Sequence, residues 1–135
     1  MKIGFTGTQV GMTDKQYNEV YNIVNKLVPE EAHMGDCVGA DTEFYEIVYE
    51  ITNTHGHIPD KDNKRSKLKY DVEYEPKPYL DRNHDIVDAC DILIATPKEK
   101  EEQLRSGTWA TIRYAKKKNK KIVIVYPDGK LERFG

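Results

Sequence analysis

Short, uninterrupted apolar segments that alternate with stretches of helical periodicity are the feature that most constrains the fold. The clearest apolar segments are residues 2–6, 91–96 and 122–126. A run without polar alternation is typical of a strand buried on both faces, as in a parallel sheet. Between such runs, apolar residues such as Val20 and Val24 recur every three or four positions, which indicates amphipathic helices. The pattern predicts an α/β protein with a doubly wound parallel sheet and helices on both faces.

About five strands are predicted. They are residues 2–6, 31–34, 57–59, 91–96 and 122–126, with residues 130–134 as a candidate for one more. Right-handed crossovers give the spatial order 3-2-1-4-5, with a switch point between the first and fourth strands. The 135 residues fit a single domain that spans 1–135.

Residues 61–77 depart from this alternation. They form a charged excursion that opens with Lys61-Asp62-Asn63-Lys64-Arg65 and ends at Pro76-Lys77. A long charged connection is either an excursion over a site or a mobile arm. Both alternatives stay open at the level of sequence.

Composition excludes several classes of protein. The chain has 21 basic and 23 acidic residues, a net charge of −2, which argues against a protein that coats nucleic acid or membranes. No apolar run approaches the roughly 20 residues of a membrane span. The N-terminus enters a strand at once, and Cys37 and Cys90 are too few for a disulfide scaffold. We therefore expect a cytoplasmic protein with no membrane association, and nucleic acid is not the expected partner.

Polar and glycine-rich loops follow the predicted strands. In a doubly wound sheet, ligands bind outside the carboxyl ends of the strands, near the switch point. The candidate ligand-binding residues at these ends are Gly7, Thr8 and Gln9 after the first strand, Gly35, Asp36, Gly39 and Asp41 after the second, Asp60 after the third, and Arg105, Ser106, Gly107 and Thr108 after the fourth.

The segment Ser106-Gly107-Thr108 is the best candidate for an anion site. Its glycine allows close approach of the backbone, and the first N–H groups of a helix are unpaired and favour negative charge. Arg105 could add a bidentate contact to a phosphate. The alternative is that Ser106 or Thr108 only caps the helix. Trp109 either stacks on a ligand base or packs in the core.

Other candidate residues allow two interpretations each. Asp36 and Asp41 either accept ribose hydroxyls or cap the next helix, and we favour ligand contact for Asp36 and capping for Asp41. Arg82 and Asn83 lie at the start of a helix, where a cation and an amide could reach a phosphate or ribose. For Arg82 the alternative is solvent exposure or an ion pair with a neighbouring aspartate.

Common cofactor and metal motifs are absent. The chain contains neither the G-x-G-x-x-G fingerprint nor a P-loop, so NAD and ATP-hydrolase functions lose support and no cofactor is expected. The histidines and Cys37 show no C-x-x-C or H-E-x-x-H spacing. His55 and His57 could share one side of a strand, but two ligands do not make a metal site. No metal site is therefore predicted. Cys37 has no basic partner close in sequence to activate it.

The loops taken together resemble a known family. Residues 4–8, 35–41, 57–60, 78–83 and 106–109 match, in order and spacing, the SLOG superfamily of Rossmann-like nucleotide-binding proteins. That superfamily includes the LOG phosphoribohydrolases and the DprA-like DNA-processing proteins. The resemblance covers about residues 2–129 apart from 61–77, where Arg65 matches an arginine common after the third strand.

The resemblance implies a Rossmann-like fold and a pocket for a nucleotide or nucleotide-derived small molecule. The phosphate would lie against Ser106-Gly107-Thr108, and the ribose or base near residues 7–8, 35–36 and 82–83. It also implies a homodimer or higher homo-oligomer, formed through the helices at residues 80–90 and 108–119.

A departure from the family bears on catalysis. Thr111 stands where LOG-type hydrolases carry a catalytic glutamate, and Arg82, which matches a family arginine, cannot activate water alone. We therefore expect a sensor or sequestering protein with no catalytic residues. The alternative is an N-glycoside hydrolase, similar to the phosphoribohydrolases, that acts on nucleoside monophosphates with a carboxylate from Asp36 or Asp60.

Overall fold

The computed structural model describes residues 1–135 as one sheet between two layers of helices. The elements in chain order are β1 (Lys2–Gly7), α1 (Asp14–Leu27), β2 (Glu31–Met34), α2 (Ala40–Val48), β3 (Asn53–Pro59), β4 (Val72–Lys77), α3 (Tyr79–Ala89), β5 (Ile92–Thr96), α4 (Gly107–Lys117), β6 (Lys121–Val125) and β7 (Leu131–Phe134). The strand order is β4-β3-β2-β1-β5-β6-β7. All neighbouring strands are parallel except β6 and β7. The predicted α/β class and the order of the five predicted strands are confirmed.

The sheet has seven strands rather than about five. β7 corresponds to the candidate strand at residues 130–134. β4 was not predicted, because it is an exposed edge strand inside the charged excursion and carries no apolar signal. β3 begins at Asn53, four residues before the predicted start, because its buried positions include polar side chains that mask an apolar run.

Each face of the sheet packs against a pair of helices. Ile3 and Phe5 of β1 lie in a core with α1 and α2, where the Phe5 and Phe44 rings stack at 4.4 Å. The opposite face places Leu93 of β5 in a second core with α3 and α4. This arrangement is the predicted doubly wound architecture. None of the four helices has the length and apolar character needed to cross a membrane.

A buried glutamine fixes the start of α1 against the sheet. Thr13 and Gln16 form a reciprocal capping box, in which each side chain bonds the backbone N–H of the other. The Gln16 amide also donates to the carbonyls of Pro97 at 2.8 Å and Val125 at 2.9 Å. Since these residues lie at or just beyond the carboxyl ends of β5 and β6, Gln16 ties the helix to the edge of the sheet where the parallel strands end.

Asp36 holds the charged excursion against the protein. Its side chain is 0% exposed, and its carboxylate accepts hydrogen bonds from Arg65 Nε at 2.7 Å, the Leu68 N–H at 3.1 Å and the Tyr70 hydroxyl at 2.6 Å. The Val38 N–H donates to the backbone carbonyl of Lys64 at 2.9 Å. Residues 64–70 are thus joined to the loop after β2 by side-chain and backbone hydrogen bonds. Asp36 and Arg65, for which ligand contact is predicted, have their charged groups engaged with each other.

We expect Asp36→Ala to lower the free energy of unfolding by about 3–5 kcal/mol, because it leaves a partly buried guanidinium and two other donors without an acceptor. Chemical denaturation monitored by circular dichroism measures this change. Asp60→Ala is the matched control, since Asp60 is exposed and its side chain makes no hydrogen bond; it should change stability by less than about 0.5 kcal/mol. Equal stability of the two variants would contradict the assigned role of Asp36.

Candidate ligand pocket at the switch point

A cavity of about 730 Å³ lies at the switch point of the sheet, where the neighbouring strands β1 and β5 end side by side. From β1 the chain continues to helices on one face, and from β5 it continues to α4 on the other. The two departing loops diverge and leave a cleft between them, as expected for this topology. Three segments form most of its wall: residues 7–10, 98–99 with 102–105, and 106–108.

Glycines shape the β1 side of the cavity. A Cβ on Gly7 would lie 2.5 Å from Ala40 Cβ and from Thr96 Oγ1, so no side chain fits there. Gly39 has φ +88°, and a Cβ on it would overlap the Gln9 carbonyl. Both glycines let α2 start directly beneath the loop that follows β1.

The N-terminus of α4 opens into the cavity. Ser106 is the N-cap residue, and its hydroxyl accepts a hydrogen bond from the Trp109 N–H at 3.2 Å. The capping role considered for Ser106 is therefore confirmed. The preceding N–H groups, those of Gly107 and Thr108, have no acceptor within the helix, and both residues line the cavity. Two unpaired donors and the positive end of the helix dipole thus face the same space.

The charges that line the cavity are not equivalent. Lys98 and Arg105 are exposed and form no ion pair within the chain. Glu102, by contrast, accepts a hydrogen bond from Arg113 Nη1 at 2.8 Å, which neutralises it. Glu99 accepts a hydrogen bond from an indole N–H. The unpaired charges of the lining are therefore the two cations, Lys98 and Arg105, and the Glu99 carboxylate, whose indole contact carries no charge.

Trp109 belongs to the core. Its side chain is 3% exposed and packs with Val87 and Ile112, while its indole N–H donates to Glu99 Oε1 at 3.1 Å. Of the two interpretations of Trp109, the structure shows core packing, and stacking on a ligand base stays a prediction for a side chain that does not line the cavity. Thr111 is buried as well, and its hydroxyl donates to the Gly107 carbonyl at 2.9 Å. Neither side chain reaches the cavity.

Cys37 and Tyr79 complete the wall on the other side. Burial raises the pKa of the Cys37 thiol, although Arg82 Nη2 lies 3.7 Å from the sulfur and acts in the opposite direction. Burial also raises the pKa of Tyr79 to about 12. Both groups are neutral at pH 7 and serve as polar wall rather than nucleophiles. No basic residue lies close to Cys37 along the chain, but the fold places Arg82 of α3 next to it.

Arg82 supports the cavity from behind. Its side chain is 2% exposed, and Nη1 donates to the carbonyls of Gly35 and His57, while its guanidinium lies 4.5 Å from the centre of the Tyr79 ring. Solvent exposure and an ion pair with Asp81 or Asp85 are therefore both wrong. Arg82 Nε has no hydrogen-bond partner, as is also true of the buried Thr96 hydroxyl beside Gly7.

Asp41 is buried next to this arginine. Its carboxylate accepts a hydrogen bond from the Cys37 N–H at 3.0 Å. Desolvation raises the pKa of Asp41 to about 6, and the positive charge of Arg82 limits that rise. The helix capping favoured for Asp41 is wrong, because Gly39 is the N-cap residue of α2, no side chain caps that helix, and the Asp41 carboxylate contacts the preceding loop instead.

The structure brings about half of the candidate residues together. Those that line the cavity are Gly7, Thr8, Gln9, Arg105, Ser106, Gly107 and Thr108. Those outside its lining are Gly35, Asp36, Gly39, Asp41, Asp60, Arg65, Arg82, Asn83 and Trp109. Most of this second group is buried behind the wall or holds neighbouring loops, whereas Asp60 is exposed elsewhere.

Sequence reasoning missed eight lining residues: Val10, Cys37, Tyr79, Lys98, Glu99, Glu102, Gln103 and Leu104. The segment 98–104 could have been found, because it directly follows β5, where the same topological rule predicts ligand contacts. Tyr79 has no comparable signal, since it depends on how α3 packs beside α4.

Comparisons with known proteins identify the fold. No protein-family model and no curated protein matches the chain. Among solved structures, the molybdenum cofactor binding protein of Rippkaea orientalis is 19% identical, with a TM-score of 0.72 over 93% of this chain and 76% of that one. The molybdenum cofactor carrier protein of Chlamydomonas reinhardtii is 18% identical, with a TM-score of 0.63 over 91% and 74%.

DNA processing protein A of Helicobacter pylori, described for its single-stranded DNA binding mode, is 17% identical, with a TM-score of 0.65 over 92% of this chain and 64% of that one. The chain shares a Rossmann-like α/β fold with these proteins. The fold implied by the sequence resemblance is thus confirmed. At such low identity the likeness concerns the fold alone.

We expect Arg82→Lys to lower the free energy of unfolding by about 2–3 kcal/mol. The reason is that a lysine ammonium cannot reproduce the planar guanidinium that contacts the carbonyls of Gly35 and His57. Denaturant titration measures this change. Arg105→Lys is the matched control at an exposed position and should stay within about 0.5 kcal/mol of the unmodified protein. If Arg82→Lys were as stable as that control, the supporting role of Arg82 would be disproved.

Proposed function

We propose that the protein binds a phosphate-bearing, nucleotide-derived small molecule in the switch-point cavity and does not cleave it. The observation that carries this proposal is the open N-terminus of α4, where the N–H groups of Gly107 and Thr108 face the cavity beside the unpaired Lys98 and Arg105. Helix termini of this kind bind phosphates because unpaired donors and the helix dipole act together.

The size and composition of the cavity support a small organic ligand with an anionic group. Its volume of about 730 Å³ lies within the range of roughly 300–1,000 Å³ that is usual for small-molecule sites. Tyr79 borders Gly107, with Cε1 3.3 Å from where a Cβ on that glycine would lie. In our proposal the phosphate binds at residues 106–108, and a flat heterocycle lies between the Tyr79 wall and the loop at residues 7–10.

Two of the structural neighbours support a ligand-binding role. They are described as binding or carrying the molybdenum cofactor, a small molecule. A third is described for its single-stranded DNA binding mode, but the cavity lining holds only two basic side chains, Lys98 and Arg105, together with Glu99 and Glu102, whereas grooves that track a nucleic-acid backbone are positively charged along their length. We therefore favour a small molecule as the ligand. The molybdenum cofactor is tested together with nucleotides in the binding experiment below.

The absence of hydrolysis is proposed from the positions of the acidic side chains. Cleavage of an N-glycosidic bond needs a carboxylate that is free to activate water. Asp36 is occupied by Arg65, and Asp60 lies outside the cavity lining. Glu102 is paired with Arg113. The second candidate function, an N-glycoside hydrolase, rests on Glu99, whose carboxylate lines the cavity with one oxygen engaged.

We expect Gly107→Asp to reduce AMP affinity at least tenfold, because the new carboxylate occupies the position where the helix terminus favours an anion. Isothermal titration calorimetry measures the affinity for AMP, inorganic phosphate, adenosine and the molybdenum cofactor. Asn18→Asp is the matched control, since it adds the same charge at an exposed position of α1 away from the cavity.

Arg105→Ala gives a second measurement at the same site. It should weaken AMP and phosphate binding while leaving adenosine binding unchanged, because only the phosphate contact is removed. The phosphate assignment fails if Gly107→Asp retains full AMP affinity with a native circular dichroism spectrum. Tight binding of oligothymidine in place of every small molecule would favour a DNA-binding function.

We expect AMP incubated with the protein to be recovered whole, because the two carboxylates of the cavity lining are already engaged, Glu102 with Arg113 and one oxygen of Glu99 with the Trp109 indole. Liquid chromatography of the incubation detects free adenine. If adenine is released, Glu99→Gln distinguishes the candidates: loss of release with this variant would establish hydrolysis and replace the binding-only proposal. Glu102→Gln is the matched control, since its carboxylate already pairs with Arg113.

A further inference from the structure

We propose that Glu31, His33 and His55 form a binding site for a zinc-type divalent cation at the edge of the sheet opposite the switch-point cavity. No C-x-x-C or H-E-x-x-H spacing marks these residues in the sequence. The site is independent of the proposed ligand pocket, since none of its residues lines that cavity.

Strand register brings the three side chains together. Glu31 and His33 are two residues apart on β2, so their side chains project from the same face. In the parallel pairing of β2 with β3, His33 lies opposite His55 and Glu31 lies opposite Asn53. Glu31 and Asn53 are the first residues of their strands. The cluster thus sits at the amino ends of β2 and β3, whereas the cavity lies at carboxyl ends.

The distances fit a tetrahedral metal centre. Glu31 Oε1 lies 3.0 Å from His33 Nε2 and 3.6 Å from His55 Nε2, and the three ligand atoms lie within 4.8 Å of one another. With Zn–N and Zn–O bonds of about 2.0–2.1 Å, neighbouring ligand atoms of a tetrahedron are about 3.3 Å apart. Small side-chain shifts therefore suffice to place one cation between them.

The second nitrogen of each histidine is already engaged. His33 Nδ1 lies 2.8 Å from His57 Nε2, and His55 Nδ1 lies 2.8 Å from the Tyr74 hydroxyl. When each Nδ1–H donates outward, both Nε2 lone pairs point towards the Glu31 carboxylate. Without a cation, a His33 Nε2–H that donates to Glu31 satisfies the same geometry, and a bound cation would take the place of that hydrogen. Histidines that bind a metal through one ring nitrogen usually donate a hydrogen bond from the other, as the Nδ1 atoms of His33 and His55 can do here.

The ligand set and its access favour zinc. Two imidazoles and one carboxylate suit Zn²⁺ better than Mg²⁺ or Ca²⁺, which prefer oxygen ligands. Both histidines are buried, whereas the Glu31 side chain is 25% exposed and gives a path from solvent. Three protein ligands leave a fourth position for water. The Asn53 amide, 3.2 Å from His55 Nε2, would turn into solvent when a cation binds.

Calorimetric titration of the metal-free full-length protein with Zn²⁺ tests the site. We expect one saturable equivalent and a Zn²⁺-dependent rise of the thermal midpoint. Glu31→Gln and His55→Gln should each lower Zn²⁺ affinity at least tenfold. Their matched controls are Glu30→Gln, at an exposed neighbouring glutamate, and His84→Ala, at a histidine stacked on Tyr114; both should bind as the unmodified protein does.

Tyr74→Phe tests the outer hydrogen bond. It removes only the hydroxyl that contacts His55 and should lower Zn²⁺ affinity by about 10–100-fold, the usual effect of losing such a partner. Co²⁺ titration followed by visible absorption should give a tetrahedral spectrum that His55→Gln abolishes. The proposal is overturned if the unmodified protein shows no saturable equivalent, binds several equivalents weakly, or keeps its affinity in both Glu31→Gln and His55→Gln. None of these results depends on AMP binding.

Discussion

The parallel pairing of β1 with β5 is the constraint on which the candidate ligand pocket depends. Because Gly7 lies opposite Thr96 at the ends of these strands, the two loops leave the sheet at one point and diverge to opposite faces. The cleft between them is a consequence of topology and needs no special side chain. Side chains then determine its chemistry, through the α4 terminus and the unpaired Lys98 and Arg105.

Buried polar side chains hold the loops that surround this cleft. Gln16 fixes α1 to the ends of β5 and β6, and Asp36 fixes residues 61–71 to the loop after β2. Arg82 reaches from α3 to the carbonyls of Gly35 and His57. Each satisfies backbone groups or charges that burial would otherwise leave unpaired, at a cost of about 1–3 kcal/mol per group. Buried hydrogen bonds therefore hold the pocket wall in place where it borders β2 and α3.

The two ends of the sheet have different chemistry. At the carboxyl ends, free N–H groups and cations favour an anion. At the amino ends of β2 and β3, a carboxylate and two imidazoles converge, which favours a cation. One of the polar residues of β3 that obscure its strand pattern, His55, belongs to this second cluster, and another, His57, contacts His33 beside it. A strand buried in the sheet is expected to carry apolar side chains, and β3 carries histidines instead. Such conflicts between local sequence and burial concentrate at functional sites.

The sequence by itself determined the α/β class, the order of five strands and the location of the phosphate-binding candidate, since apolar periodicity and loop position are local properties. It did not determine β4, because a charged edge strand has no apolar signal. Only the tertiary structure decided that Asp36 holds Arg65 and that Trp109 packs in the core. It alone joined Glu31 and His33 to His55, because that contact depends on strand register between residues more than 20 positions apart, which spacing along the chain does not show.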